Sequence, residues 1–516
     1  MDRSFGCSSR KLILCCRRRR KPTSENGKFH RGSGHTSIKR KGRYIMKNKR
    51  LPMAVMALTM LTSTIIAGCS SSNNEANSGT NAGGESTGKK VELKVWLTPQ
   101  WKGVLDASEP GADYDSFLKH AAEKFSAQYK KYDTKVNVEV IAGDQRDQLL
   151  NVNLSSGTAP DVFFESVFAM GDYVHRGALV PLTDIVDDTA KADISKSYWD
   201  AVTFGKDVYF YPFQHNPGTL VYNADMFKAA GLDKFIGGEK EIKTWTLDEY
   251  EQILKGLKDN LPKDKYSNAY PMALYGVNTQ GDTWNLAYMR MFGNKFFDDQ
   301  GNIVLDDEKG AKAAAWLKKI KDAGYTNPGP ESVSSNDANG MFQNQQLAIS
   351  FTNPILFNNA KMDMESGKSK KFDSRLANIP SESGDPLSFT YVVGASVFQN
   401  KDASKVEAAK DFVKFLSTDP ELVKSSKNGI PVRSSVSKEF MNEKPLFAAY
   451  DANSKYLFNF TGNVPGYSQL REVLYPELQA LYMGAKTPAQ VVKDYQTKGN
   501  KVIQTNKADS VIYEKK

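Results

Sequence analysis

From Val91 onward, apolar residues switch repeatedly between a period of two and a period near 3.6, and a chain patterned this way has few folds open to it. Val91, Leu93, Val95 and Leu97 alternate with polar residues as a strand. Phe117, Leu118, Ala121, Ala122 and Phe125 then recur at helical spacing. Val136, Val138 and Val140 predict a second strand, Asp147–Leu154 a helix stopped near Gly157, and Pro160–Phe164 a buried strand. Strand–helix–strand–helix–strand is the order of a parallel, doubly wound sheet.

The pattern continues to the end. Val208–Phe213 reads as extended chain carrying a proline, Leu220–Tyr222 as a strand, and Ala224–Ala230 as a helix closed by Gly231. Thr246 followed three residues later by Glu249 is a capping box that opens a helix to Leu257. Further helices are expected at Lys309–Ala323, Lys405–Leu416, Leu470–Met483 and Pro488–Thr505, with strands at Leu347–Phe351 and Tyr391–Phe398. The expected class is α/β with two lobes, and no solenoid-length repeat is present.

The first 90 residues are of another kind. The net charge of +10 comes from residues 1–50, which hold 17 Lys/Arg against 2 Asp/Glu; the other 466 hold 52 against 57, or −5. A nucleic-acid-binding body would keep its basic excess on the folded part, so that partner is excluded. Met46-Lys47-Asn48-Lys49-Arg50 followed by the uncharged run Leu51–Ala67 has the build of a secretory signal. The run is short for a membrane span, and no stop-transfer pattern follows. Ile66-Ala67-Gly68-Cys69 resembles a bacterial lipobox, which implies that Cys69 is lipidated (palmitate-bearing) and anchors the chain to the outer face of the membrane. Residues 46–68 are then a lipoprotein signal peptide and 69–90 a flexible Ser/Asn/Gly tether. Residues 1–45 read as a gene-model extension ahead of a start at Met46, or as a disordered basic arm. Gly83–Lys90 nearly spells a phosphate loop, but Lys90 stands where Ser or Thr should hold magnesium and no strand precedes it, so it is rejected.

No cysteine follows Cys69, and beyond it the histidines are His120, His175 and His215 alone. Disulfides, a metal site and a histidine-based triad in the body are therefore not expected, and no cofactor is implied. Asp298–Asn302 with Asp306–Glu308 lacks the calcium-loop spacing and predicts a hairpin turn.

Four segments in order carry a resemblance: Thr158–Phe163 with Gly177–Leu182, Val208–Phe213 with Val221–Leu232, Thr244–Glu249, and Gly429–Arg433. Together they resemble the family 1 extracellular solute-binding proteins, the sugar-capturing subunits of bacterial ABC importers. The resemblance implies a two-lobe, periplasmic-binding-protein-like fold with hinge crossings and a ligand cleft between the lobes. It places 91–213 and 394–450 in the first lobe and 214–393 and 451–516 in the second. Crossings are expected near Pro212–Leu220 and Tyr391–Ser396, with Pro212 and Gly394 as hinge positions, Pro212 because it cannot donate to a ladder and Gly394 for its backbone freedom.

A sugar presents hydroxyls and an apolar C–H face, so its receptor needs aromatic platforms and polar partners in a sheltered cleft. Trp101, Phe213, Trp284 and Tyr467 are the candidate platforms; Gln100, Glu165, Gln214, Asn216, Asp282, Asn353 and Arg433 are the candidate polar partners. Each has a plainer alternative: packing for the rings, a helix cap for Glu165, a turn for Asn353, a brace at the lobe interface for Arg433. Trp245 and Trp316 read as core. The expected function is non-catalytic capture of a sugar or oligosaccharide for a membrane permease. A secreted glycoside hydrolase, which needs two convergent carboxylates, and a non-transport carbohydrate sensor are the alternatives.

Overall fold

The computed structural model describes residues 88–143, 145–277 and 282–513, all within one compact unit, Asn81–Lys516. The segment expected to be a signal peptide, Cys69 and nearly all of the expected tether lie outside the described residues. Strand β1 (Lys90–Leu97), helix α1 (Ser116–Gln128), β2 (Asp133–Val140), α2 (Arg146–Ser156), β3 (Val162–Ser166) and α3 (Val167–His175) open the first lobe. A short hairpin, β4 (Thr203–Phe204) and β5 (Asp207–Val208), precedes β6 (Tyr211–His215). The chain then builds a second sheet from β7 (Thr219–Asn223), β8 (Ile242–Lys243), β9 (Tyr270–Met272), β10 (Leu347–Thr352) and β11 (Ser374–Ala377). Around it lie α4 (Leu247–Asn260), α5 (Asp282–Met289) and α6 (Glu308–Asp322). After β12 (Ser388–Phe389), β13 (Val392–Val397) returns to the first sheet, followed by α7 (Ala403–Thr418) and β14 (Ile430–Pro431). Strand β15 (Leu457–Phe458) and helices α8 (Tyr467–Tyr482) and α9 (Pro488–Asp509) close the chain.

The first sheet runs β14-β6-β13-β3-β1-β2 and the second β8-β11-β7-β10-β9. Each has its own apolar core, and the half-buried rings of Phe168 and Tyr391 pack against both. The first three strands pair in parallel as their order implies, and later strands make the first sheet mixed. β1 pairs parallel with β2 and β3, but β13 is antiparallel to β3 and β6. β13 enters from the second lobe, and so arrives from the opposite direction.

Local signals were realised where they were strongest. Thr246 and Glu249 form the reciprocal capping box on α4, and Gly157 and Gly231 adopt the left-handed backbone just past their helices. Trp245 and Trp316 are buried in the second core. Asp298 accepts the amides of Gln300 and Asn302 in the expected turn.

The two hinge positions need correction. Pro212 does not mark where a strand leaves its sheet. It lies within β6, opposite Gly394, where the register with β13 skips and no donor is required. Gly394 serves close approach and not freedom, because a Cβ there would sit 2.2 Å from the Tyr211 carbonyl oxygen. The chain leaves the first sheet after His215, and segments 216–218, 388–391 and 457–460 meet at the crossing. Asn216 donates its amide to the Tyr391 carbonyl, Ser388 Oγ donates to the Gly218 carbonyl, and Thr390 donates its amide to the Phe458 carbonyl. β12 and β15 pair in parallel there as a two-stranded sheet. Phe447 and Tyr450, expected in the first lobe, join the second core.

Candidate functional site

Parallel pairing sets the ends of β1 and β3 side by side, so the residues that follow them share one edge, the edge at which open α/β sheets hold ligands. Glu165, at that end of β3, is 4% exposed. Its Oε2 accepts from Thr98 Oγ1 at 2.5 Å, and its Oε1 accepts from the Ser166 amide at 2.6 Å and the Ser166 hydroxyl at 2.9 Å. Gln100 Nε2 donates to Thr98 Oγ1 at 3.0 Å. Arg146, at the start of α2, places Nη1 3.8 Å from Glu165 Oε2 and grips Asp147 through two hydrogen bonds of 3.0 Å. A buried carboxylate without such partners would be costly; here it is held by donors and a guanidinium. Burial, with the Glu165 charge adding to it, pushes the Tyr391 phenol up to about 12, so the hydroxyl keeps its proton.

The aromatic wall begins beside this cluster. Trp101 stacks on Phe213 with centroids 6.0 Å apart and planes 5° from parallel, and touches Phe117 and Phe164 at 5.3 and 5.8 Å. Phe213 is the buried layer and Trp101 the half-buried one on top of it. A second aromatic run begins in the second lobe. Trp284 packs on Phe351 and Phe389, each at 5.5 Å. Phe389 lies 5.5 Å from Phe460, Phe460 6.0 Å from Phe168, and Phe168 4.9 Å from Tyr391. The Arg471 guanidinium sits 5.1 Å over Phe168. Rings thus continue from the second lobe, along the crossings, to the hydrogen-bonding cluster of the first.

Gln100, Trp101, Glu165 and Phe213 therefore come together, and the Asn216 backbone lies next to them, its N–H donating to the Tyr391 carbonyl. Trp284 and Tyr467 meet the aromatic run, Tyr467 through Phe460 at 5.9 Å. Three candidates stand elsewhere. Gln214 is fully buried within β6, against Gly429. Asn353 is an N-cap, accepting the Leu356 amide at 3.0 Å. Arg433 braces the first lobe internally, donating to Asp193 Oδ2 at 3.2 Å and to the Ser417 carbonyl at 2.8 Å. Asp282 begins α5, and its side chain lies outside the described residues.

Thr98, Arg146, Ser166, Phe168, Tyr391, Phe460 and Arg471 escaped the sequence reading. Arg146 alone had a signal: it is the sole arginine between positions 91 and 160, and a carboxylate ending a buried strand needs a cation. Among the described residues, no group of three or more His, Cys, Asp or Glu could hold a metal ion, and no helix is long and apolar enough to cross a membrane.

An arabinooligosaccharide-binding protein of Bacillus subtilis is 23% identical over 419 residues, 80% of this chain and 87% of that protein. A maltotriose-binding protein of Pyrococcus abyssi is 22% identical over 298 residues, 56% of this chain and 58% of that one. Among solved structures, a cyclic alpha-maltosyl-1,6-maltose binding protein from Arthrobacter globiformis shares the fold, with a TM-score of 0.65 at 18% identity over 80% of this chain and 99% of that one. Residues 109–421 match the bacterial extracellular solute-binding proteins, and the chain belongs to that family.

Proposed function

We propose that this protein captures a sugar or short oligosaccharide between its lobes, leaves it chemically unchanged and hands it to the permease of an ABC importer, while a lipid on Cys69 holds it at the outer face of the cell membrane. One observation carries the reading: a half-buried tryptophan platform and a ring-lined crossing flank a carboxylate held ready as an acceptor. Rings cover the C–H faces of a sugar, and Glu165, Gln100 and Arg146 match its hydroxyls. Glu165 accepts from Thr98 and Ser166 and lies beside Arg146, an arrangement that suits holding a ligand more than proton transfer to a leaving group. Two relatives are named for oligosaccharides, which supports the ligand class.

Titration of the purified protein with arabinotriose and maltotriose, read by tryptophan fluorescence and calorimetry with chromatography of the sugar afterwards, tests the proposal. Saturable binding with the sugar recovered intact is expected. Shortened sugar would overturn it in favour of a hydrolase. Binding that persists unchanged in both Trp101→Ala and Glu165→Ala would remove this cluster from the site. For the anchor, a Cys69→Ala chain is expected in the culture medium and the parent chain in the membrane fraction; equal distribution would defeat lipidation.

A further inference from the structure

Helices α8 and α9 pack on the second core, yet the open end of their hairpin reaches into the first lobe. Asp172, on α3, accepts the amides of Gly466, Tyr467 and Ser468 at 2.9, 3.1 and 3.3 Å, and so serves the start of α8 from across the lobe boundary. His175, one turn on and 4% exposed, is held from both sides. Its Nε2 bonds the Asn463 carbonyl oxygen at 3.0 Å and its Nδ1 the Ser510 hydroxyl at 2.9 Å. The carbonyl can only accept, so Nε2 carries the proton and Ser510 donates to Nδ1.

The grip extends on either side. Asn463 takes the left-handed backbone with φ 49° and donates through Nδ2 to the carbonyls of Asp200 and Thr203. The Val511 amide donates to the His175 carbonyl at 2.9 Å, and the Tyr513 ring stacks on the imidazole with centroids 6.0 Å apart. Strain in a non-glycine residue persists only where its surroundings enforce it. His175 lies nine residues beyond Ser166, about 13 Å along the helix, and so stands away from the sugar-facing cluster. Beside the clasp, a cavity of about 190 Å³ is lined in part by Asp147, Arg176, Gln469 and Asn506.

We propose that the α8–α9 hairpin is a strut between the lobes, and that Asp172 and His175 are positioning residues whose grip on Asn463, Gly466–Ser468 and Ser510 sets ligand affinity without either side chain touching the ligand. The inference rests on the capture reading for its affinity arm alone.

Four variants test it: Asp172→Ala, His175→Ala, His175→Gln and a chain ending at Asp509. In His175→Gln the amide can still donate to the Asn463 carbonyl and accept from Ser510. Without ligand, Asp172→Ala, His175→Ala and the shortened chain are expected to show faster amide exchange across 460–468 and a larger radius of gyration by solution scattering, with the far-ultraviolet spectrum retained. Maltotriose or arabinotriose affinity is expected to fall about three- to tenfold in those three and to recover to within twofold in His175→Gln. Unchanged exchange and scattering in the folded variants would overturn the strut, whether or not either sugar binds the parent. Equal or tighter affinity in His175→Ala, or a His175→Gln chain no better than His175→Ala, would overturn the positioning role.

Discussion

Two residues show how burial chooses chemistry. Glu165 is almost fully covered yet has three donors and a guanidinium at hand, so it is an acceptor before any ligand arrives. Glu165→Gln removes the charge and keeps the shape. It is expected to weaken sugar binding by roughly 1.5–3 kcal/mol, the worth of a charge-assisted hydrogen bond, with calorimetry as the measurement. His215 is the opposite case. It is fully buried, Tyr198 Oη lies 2.8 Å from its Nε2, and burial pushes its pKa down to about 3. An unfolded histidine titrates near ~6.5, so as the pH falls the unfolded chain takes up the proton first. The stability due to neutral His215 is therefore complete above ~6.5 and is lost progressively towards pH 3, about 2 kcal/mol of it by pH 5. Urea unfolding at pH 7 and pH 5 should show that loss in the parent and a shallower one in His215→Gln. Equal slopes would mean that His215 is not the group involved.

At the scale of elements, the sequence was most legible where the signal is local. The Thr246–Glu249 pair announced α4 because a capping box needs only four consecutive residues, and the structure contains both of its hydrogen bonds. Thr246→Ala should cost about 1 kcal/mol by thermal unfolding. Hinge residues were less legible. Proline and glycine each have several uses, and their identity does not say which applies. Gly394 is needed because β6 passes within reach of its missing Cβ, a contact with Tyr211, 183 residues earlier in the chain. Gly394→Ala must displace the backbone at Tyr211 and is expected to destabilise the first lobe by more than about 2 kcal/mol. A variant as stable as the parent would show that the close approach is absent in solution.

For the whole molecule, the crossing is where folding and binding meet. A Cβ at Gly218 would lie 2.0 Å from the Phe389 ring, and that ring carries the aromatic run from Trp284 to Phe460. Gly218→Ala should thus alter the hinge and the cleft together. The expected result is at least a fivefold loss of oligosaccharide affinity with a lower melting temperature; a lower melting temperature with full affinity would separate the two roles. Polar partners followed the same logic as hinges. Gln100, Trp101 and Glu165 come together because they follow or end strands of one parallel pair, whose neighbourhood is implied by the βαβ order, whereas Phe213 belongs to β6 and reaches them by stacking on Trp101. Arg433 and Asn353 were misplaced because an arginine or asparagine in a loop looks the same whether it faces a ligand, caps a helix or braces a neighbour.

Periodicity, capping pairs and turn glycines by themselves determined that this chain alternates helix and strand, and its ordered motifs determined its family, because such signals are written over a few adjacent residues. Only the tertiary structure decided that β13 runs against its neighbours, that Arg146 and Tyr391 gather at Glu165, and that the last helices clasp α3. Those outcomes depend on which of many possible partners, up to some 330 residues apart, packs with the best shape and pairs its buried polar groups, and no short window of sequence contains that choice.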